Sequence, residues 1–163
     1  MPGMNHDFGK AIMGKQTDQT RILGNQLCFA VYSTAHAFNR IYKPLLDPLG
    51  LTYPQYLVML ILWDEDEVTV KDLGQRLHLD SGTLTPLLKR LEANGLISRR
   101  RSATDERRVV IALTEAGHAL NAKAAEIPVK LLCATGLEVP GLLDLKNDMV
   151  ALRDHMLVAA SRE

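Results

Sequence analysis

Apolar residues near the start of the chain recur at alternating intervals of four and three positions. This interval is typical of a long helix that packs along another helix. It predicts a helix from about residue 18 to residue 46, ended by Pro44 and Pro48 because proline interrupts helical hydrogen bonding. The positions that define the pattern are Leu27, Val31, Thr34, Phe38, Ile41 and Leu45.

A second helix is predicted directly afterwards. Pro54 follows a Thr52/Tyr53 cap and suits the first position of a helix, which then runs through an apolar stretch to Trp63. The acidic run at residues 64–67 closes this helix and predicts a solvated loop.

Two short helices separated by three residues are predicted next. Thr69, with Asp72 three positions later, resembles a capping box and opens a helix that ends at Leu77. Asp80 or Ser81 caps the following helix. Two short helices joined by a tight turn form a helix-turn-helix. The second helix has a leucine stripe for its buried face, made of Leu84, Leu87, Leu88 and Leu91.

The hydrophobic period then changes from the helical value to two residues. Residues 97–101 alternate, a loop at residues 102–106 reverses the chain, and residues 109–113 alternate on the return. The pattern predicts a β-hairpin with arginines near its tip, which is the wing of a winged helix-turn-helix.

Further helices are predicted in the last third of the chain. One begins after Thr114 and continues through Leu131 as a single helix. Because a chain of this length cannot bury apolar seams at both ends, we expect the terminal helices to form a dimer interface. The seam of the last helix consists of Leu142, Leu145, Met149, Leu152 and Met156.

These elements predict a mainly α fold with a small β-hairpin wing. It is a winged helix-turn-helix whose N- and C-terminal helices form a helical dimerisation region. We expect a flexible tail at residues 1–17, the dimerisation region at residues 18–66 and 114–163, and the DNA-binding module at residues 67–113.

Composition agrees with one folded domain, since 47% of the 163 residues are hydrophobic and 23% are charged. No apolar run reaches the roughly 20 residues that cross a bilayer, and the N-terminus lacks the apolar core of a secretory signal. The predicted location is therefore the cytoplasm, and no membrane is expected as a partner.

The formal net charge of zero conceals an uneven distribution. Residues 69–113 contain nine basic and five acidic side chains, a sum of +4, and the rest of the chain therefore carries −4. A positive field focused on one module favours a polyanionic partner.

The partner predicted for this module is double-stranded DNA. The second helix of a helix-turn-helix lies in the major groove, and its candidate contacts are Ser81, Thr83, Thr85, Lys89 and Arg90. In the wing, Arg99, Arg100 and Arg101 are expected to bind phosphates. Arg107 is expected to enter the minor groove, with Asp105 bracing its guanidinium. A dimer implies a pseudo-palindromic operator.

The two cysteines, Cys28 and Cys133, lie in no CxxC or Cys/His cluster, so no metal and no cofactor are predicted. A lone helical cysteine is usually a small buried apolar residue. However, Tyr32 and Tyr42 fall near the helical face of Cys28, and hydroxyl donors favour a reactive thiolate. Cys28 is expected about ten residues into its helix, too deep for the helix dipole to act. Activation is then expected from tyrosines, or from another helix end near Tyr53.

Four segments carry a resemblance to a known family: DSGTLTPLL at residues 80–88, LEANGLI at 91–97, DERR at 105–108 and LTEAG at 113–117. With them the chain resembles the MarR family of dimeric winged-helix transcriptional regulators over nearly its whole length after residue 20. The resemblance implies that Arg107 enters the minor groove and that Asp105 braces it.

Tyr42 and the segments LCFAVY at residues 27–32 and LTYPQY at 51–56 are similar to the organic-hydroperoxide-sensing branch of that family. This resemblance implies that Cys28 is the sensor thiol, that Tyr42 and Tyr53 hydrogen-bond its sulfur, and that Cys133 is the resolving cysteine of two-cysteine members. An organic hydroperoxide would then be the inducer, and an intersubunit disulfide between Cys28 and Cys133 would release the operator from a homodimeric repressor.

Two other interpretations stay open. One is a MarR-type regulator that is released by a small aromatic effector and whose cysteines are inert. The other is a thiol peroxidase, which would leave the helix-turn-helix and the wing without a purpose. We therefore predict a regulator and not an enzyme.

Overall fold

The computed structural model describes residues 22–101 and 108–162. This part of the chain is mainly helical with a small antiparallel sheet, as predicted. Its elements are α1 (Leu27–Leu46), α2 (Tyr53–Asp64), β1 (Val68–Thr69), α3 (Val70–Leu77), α4 (Ser81–Ala93), β2 (Ile97–Arg101), β3 (Val109–Leu113), α5 (Glu115–Ala124), α6 (Ile127–Thr135) and α7 (Val139–Ala160). The tail expected at residues 1–17 lies outside the described residues.

The chain divides into two units, Met1–Ile41 and Tyr42–Glu163. In the first unit, a 3-10 turn at Leu23–Asn25 and an extended Gln26 precede α1, which therefore begins at Leu27. The prediction of a continuous helix from about residue 18 is wrong, since Gly24 lies in this turn and glycine is a poor helix former. Cys28 is consequently the second residue of α1 and does not lie deep within it.

α1 ends at Leu46, as predicted, but Pro44 does not end it. Pro44 lies inside the helix, which continues to Leu46. A proline removes one helical hydrogen bond, and this close to the helix end little more is lost. Gly50, in the left-handed conformation with φ 67°, then closes the 3-10 turn Asp47–Leu49 that contains Pro48.

The core of the second unit is built around α2, the helix-turn-helix and the sheet. The predicted leucine stripe of α4 is confirmed, with Leu84, Leu88 and Leu91 fully buried and Leu87 packed against the core. α2 is apolar nearly all round and is the central helix, which buries Tyr56, Val58, Met59 and Leu62.

Side-chain caps begin the two helices of the helix-turn-helix. The backbone N–H of Asp72 donates to Thr69 Oγ1 at 3.1 Å, and the N–H of Thr83 donates to Asp80 Oδ1 at 2.9 Å. Each cap satisfies an N–H group that the first helical turn leaves free. The two helices accordingly begin and end where the sequence places them.

The sheet has the strand order β1-β3-β2, and both pairs are antiparallel. The predicted hairpin is confirmed, with a register from Ile97 opposite Leu113 to Arg101 opposite Val109. β1 was not predicted, because a strand of two residues is too short to show an alternating pattern.

The helix predicted from Thr114 through Leu131 is two helices, α5 and α6, and the prediction of one is wrong. Pro128 lies in the first turn of α6. In a continuous helix its ring would clash with the carbonyl of Ala124, so α5 ends there. Farther on, α7 has no buried residue.

Candidate nucleic-acid interface and redox site

α4 presents a polar face opposite its leucine stripe. Ser81, Thr83, Lys89 and Arg90 are exposed, and Thr85 is half-buried. Within the described ranges, neither Lys89 nor Arg90 has a carboxylate within ion-pair distance. The predicted major-groove residues are thus accessible on one helix.

One of these candidates, Thr83, is hydrogen-bonded to Asp80, the N-cap residue of α4. Asp80 accepts the backbone N–H of Thr83 at 2.9 Å and the hydroxyl of Thr83 at 3.0 Å. The backbone and then the side-chain hydrogen bond from Thr83 lower the pKa of Asp80. The ionised cap therefore holds the Thr83 hydroxyl at the first turn of the helix.

The arginines of β2 have different environments. Arg99 faces inward, its side chain is 22% exposed, and its Nε lies 3.1 Å from Glu92 Oε2. This contact is an ion pair and not a hydrogen bond. In the described part of the chain, neither Nε nor one terminal nitrogen of Arg99 makes a hydrogen bond, although both are buried. Arg100 pairs with Glu67, and Arg101 is exposed. Of the three wing arginines predicted to bind phosphate, only Arg101 is exposed without a carboxylate partner among the described residues.

The acidic run at residues 64–67 was predicted to be a solvated loop, but its side chains make ion pairs and hydrogen bonds to other elements. Glu65 pairs with Arg76 of α3, and Glu67 pairs with Arg100 of β2. Asp66 accepts the backbone N–H of Leu113 at 2.9 Å and lies 3.4 Å from His118 Nε2. Sequence patterns missed this role because every one of these partners is distant along the chain.

A cavity of about 940 Å³ opens between α3, α4 and the base of the wing. Three cations, Lys71, Arg99 and Arg108, contribute to its wall together with the polar side chains of Gln75 and Thr85, and the lining contains no carboxylate. The wall of this cavity therefore carries three basic side chains, of which Arg99 pairs with Glu92.

Cys28 is an exposed free thiol in the first turn of α1. The N–H groups of Phe29 and Ala30 donate to the carbonyl of Gln26 at 3.1 Å. Cys28 therefore lies at the N-terminal end of its helix, a position that the sequence did not predict. One turn on, the exposed Tyr32 contacts His36 edge to face, with ring centroids 4.4 Å apart.

The candidate tyrosines of the second unit belong to an aromatic cluster. The ring centroids of Tyr42 and Tyr53 lie 4.5 Å apart, those of Tyr42 and Tyr56 5.9 Å, and those of Tyr56 and Trp63 6.1 Å. Burial, with smaller contributions from Tyr53 and Tyr56, raises the pKa of Tyr42 to about 12. Burial also raises the pKa of Tyr53. Both phenols are consequently protonated donors at neutral pH.

Cys133 is the second free cysteine and is exposed in α6. Asp105 and Arg107, predicted for the wing tip, lie outside the described residues.

Within the described ranges, no group of His, Cys, Asp and Glu side chains is arranged to hold a metal ion. In the same ranges no single helix could cross a membrane, and only the bent pair Leu27–Leu49 and Tyr53–Asp64 together has the length and composition to do so.

A helix-turn-helix with an exposed polar second helix, followed by a β-hairpin, defines a winged-helix DNA-binding protein. Residues 40–123 match the family model described as Transcriptional regulator SarA/Rot. The chain is 50% identical over 134 residues to the Organic hydroperoxide resistance transcriptional regulator of Bacillus subtilis (strain 168), a match that covers 82% of this chain and 91% of the relative. The chain belongs to the MarR- and SarA-type family of winged-helix transcriptional regulators, as the sequence resemblance predicted.

Other relatives agree. The HTH-type transcriptional regulator TtmR of Methylorubrum extorquens (strain PA1) is 47% identical over 148 residues, which cover 90% of this chain and 76% of the relative. The structure of reduced AbfR bound to DNA matches with a TM-score of 0.71 and 35% identity over 86% of this chain and 98% of the other. AbfR of Staphylococcus epidermidis matches with a TM-score of 0.72 and 34% identity over 88% and 99%.

Proposed function

We propose that this regulator is a homodimeric repressor that leaves its operator when an organic hydroperoxide oxidises Cys28. The observation that carries the proposal is the exposed Cys28 thiol in the first turn of α1. It occurs in a chain that is 50% identical to a regulator named for organic hydroperoxide resistance. The buried, protonated Tyr42 and the neighbouring Tyr53 are the hydroxyl donors proposed to orient the thiolate.

The first step is a displacement at oxygen. The Cys28 thiolate attacks the peroxide, its lone pair forms the S–O bond, and the O–O bond breaks. Cys28 becomes a sulfenic acid, and the leaving alkoxide takes a proton from water to give an alcohol. The sulfur is oxidised by two electrons, and the peroxide is reduced by two.

The second step involves Cys133 of the partner subunit. Its thiol attacks the sulfenic sulfur of Cys28, an S–S bond forms, and the sulfenic oxygen leaves as water. A disulfide requires Cα atoms within roughly 7 Å. Closing it fixes the positions of α1 and α6 across the dimer, and this constraint is the proposed cause of operator release.

Operator recognition follows from the exposed face of α4. Ser81, Thr83, Lys89 and Arg90, with Thr85, are proposed to meet base edges and phosphates in the major groove. Arg101 binds phosphate, and Arg107, braced by Asp105, enters the minor groove. Two subunits then read half-sites about one helical turn apart in a pseudo-palindrome.

A mobility-shift assay on the DNA upstream of the gene tests the proposal. Stoichiometric cumene hydroperoxide should abolish the wild-type complex, produce a dimer band on non-reducing gels, and leave both changes reversible by dithiothreitol. Cys28→Ser should stay bound and give no dimer band. Cys133→Ser should form the sulfenic acid, detectable with dimedone, without the disulfide.

Two results would contradict the redox mechanism. One is release of the Cys28→Ser protein by peroxide, and the other is a normal disulfide band from Cys133→Ser. The cation-lined cavity beside α4 favours a second candidate, an anionic aromatic effector. That candidate predicts release of both wild type and Cys28→Ser by benzoate-like acids, with no response to peroxide.

A further inference from the structure

β3 has five residues, whereas β1, which borders one of its two edges, has only two. The β1 pairing consists of Val68 opposite Ile111 and Thr69 opposite Val110. Continuing this antiparallel register by two residues would bring Asp66 opposite Leu113. The backbone does not continue, because Glu67 has a φ of 64°, in the left-handed region that turns the chain away from the extended conformation.

The side chain of Asp66 supplies the missing acceptor. The N–H of Leu113 donates to Asp66 Oδ1 at 2.9 Å, and the N–H of Glu67 donates to the same oxygen at 2.8 Å. A carboxylate thus replaces a backbone carbonyl at the end of the β1–β3 ladder. Charge-assisted bonds of this kind are stronger than those between neutral groups.

The same segment is fixed to α5. Asp66 Oδ2 lies 3.4 Å from His118 Nε2, and the indole N–H of Trp63 donates to the carbonyl of Gly117 at 2.9 Å. The end of α2 is therefore joined at two points to the helix that follows the wing. Through Leu113, it is also joined to the wing itself.

We propose that Asp66 is a positioning residue for DNA binding. By holding the end of β3, it sets the angle at which the hairpin leaves the helix-turn-helix, and so the reach of the wing toward the minor groove and its phosphates. The proposal rests on the DNA-binding part of the proposed function and is independent of the peroxide chemistry.

The sign of the effect separates positioning from simple electrostatics. A carboxylate beside a DNA-binding module repels phosphate, so removing it by charge alone should strengthen binding. Positioning predicts weaker binding when the acceptor is lost. Asp64, exposed in the same acidic run, provides the matched charge control.

The test compares four variants of the reduced, full-length protein on a short duplex from the upstream DNA, over a range of salt concentrations. Asp66→Ala should weaken binding about tenfold and lower the salt slope by about one, because wing contacts to phosphate are lost. Asp66→Asn retains the Oδ1 acceptor and should bind within about twofold of wild type. Asp64→Asn should bind equally or more tightly.

Asp66→Glu keeps the charge but moves the carboxylate, so it should weaken binding even if Asp66→Ala does not fold. Hydrogen exchange at the Leu113 amide of the free protein should accelerate in Asp66→Ala and Asp66→Glu but not in Asp66→Asn. Unchanged exchange would refute the hydrogen bond between Asp66 and the Leu113 amide, whatever the DNA assay gives.

Wild-type affinity in Asp66→Glu, or equal losses of affinity in Asp66→Asn and Asp66→Ala, would overturn the positioning role. Failure of the wild type to bind would count against the proposed operator instead.

Discussion

Gly117, in the first turn of α5, lies against the turn that follows α4. A Cβ atom at this position would lie 2.1 Å from the carbonyl oxygen of Leu96. The Gly117 N–H donates to Thr114 Oγ1 at 3.0 Å, and its carbonyl accepts the indole N–H of Trp63 at 2.9 Å. Three elements therefore meet at a residue that has room for no side chain.

Gly117→Ala should lower the free energy of unfolding by about 1–3 kcal/mol, because the obstructing atom is backbone and cannot rotate away. The control is Gly141→Ala in α7, where an added Cβ meets nothing within 4 Å. It should raise the stability by up to about 1 kcal/mol. Urea unfolding followed by circular dichroism measures both, and equal midpoints would contradict the close approach.

At the scale of elements, local contacts explain what the sequence could predict. Capping pairs such as Thr69–Asp72 and Asp80–Thr83 join residues three apart, so the bounds of the helix-turn-helix are visible in the sequence. β1 and the role of Asp66 were not visible, because Leu113 lies 47 residues from its partner. Pro128 did carry a signal for the break between α5 and α6, and the apolar periodicity concealed it.

The residues of the candidate site also fall into those that local sequence patterns predict and those that depend on distant contacts. The face of α4 follows from a leucine stripe and could be predicted. The pairing of Arg99 with Glu92 depends on how β2 packs beside α4, so it required the structure. The position of Cys28 depends on where α1 begins. The apolar seam starts at Leu27, but the predicted helix extended back to about residue 18, which placed Cys28 too deep in it.

The wing carries a prediction of its own. Arg107→Ala should weaken operator binding. It should also lower by about one the slope of the logarithm of the binding constant against the logarithm of the salt concentration, because one contact between a basic side chain and the DNA is lost. Lys123→Ala in α5 removes the same charge outside the DNA-binding module and serves as the control. Titrations at several salt concentrations measure the slope, and an unchanged slope in Arg107→Ala would remove that residue from the interface.

For the molecule as a whole, the apolar surface of α7 is the feature that calls for a partner. Three residues of the predicted seam are exposed, namely Leu145 (50%), Met149 (43%) and Met156 (64%). Contiguous apolar surface on a helix favours association. A second copy of the chain is the partner that the dimer proposal assigns to it.

Leu145→Lys together with Met149→Lys should convert the dimer to a monomer, because two charges would have to be buried in the interface. The control, Asn147→Lys with Ala151→Lys, adds equal charge on the other side of the same helix. Sedimentation velocity at micromolar concentration distinguishes the species. A monomeric wild type, or a dimer that survives the apolar-face pair, would contradict the assignment.

Three arginines of the DNA-binding module already have carboxylate partners: Arg76 with Glu65, Arg99 with Glu92, and Arg100 with Glu67. Phosphate must displace these carboxylates, so each arginine adds less to the affinity for arbitrary DNA than a free cation would. Weak affinity for arbitrary DNA shortens each stay at a wrong site during the search along a chromosome.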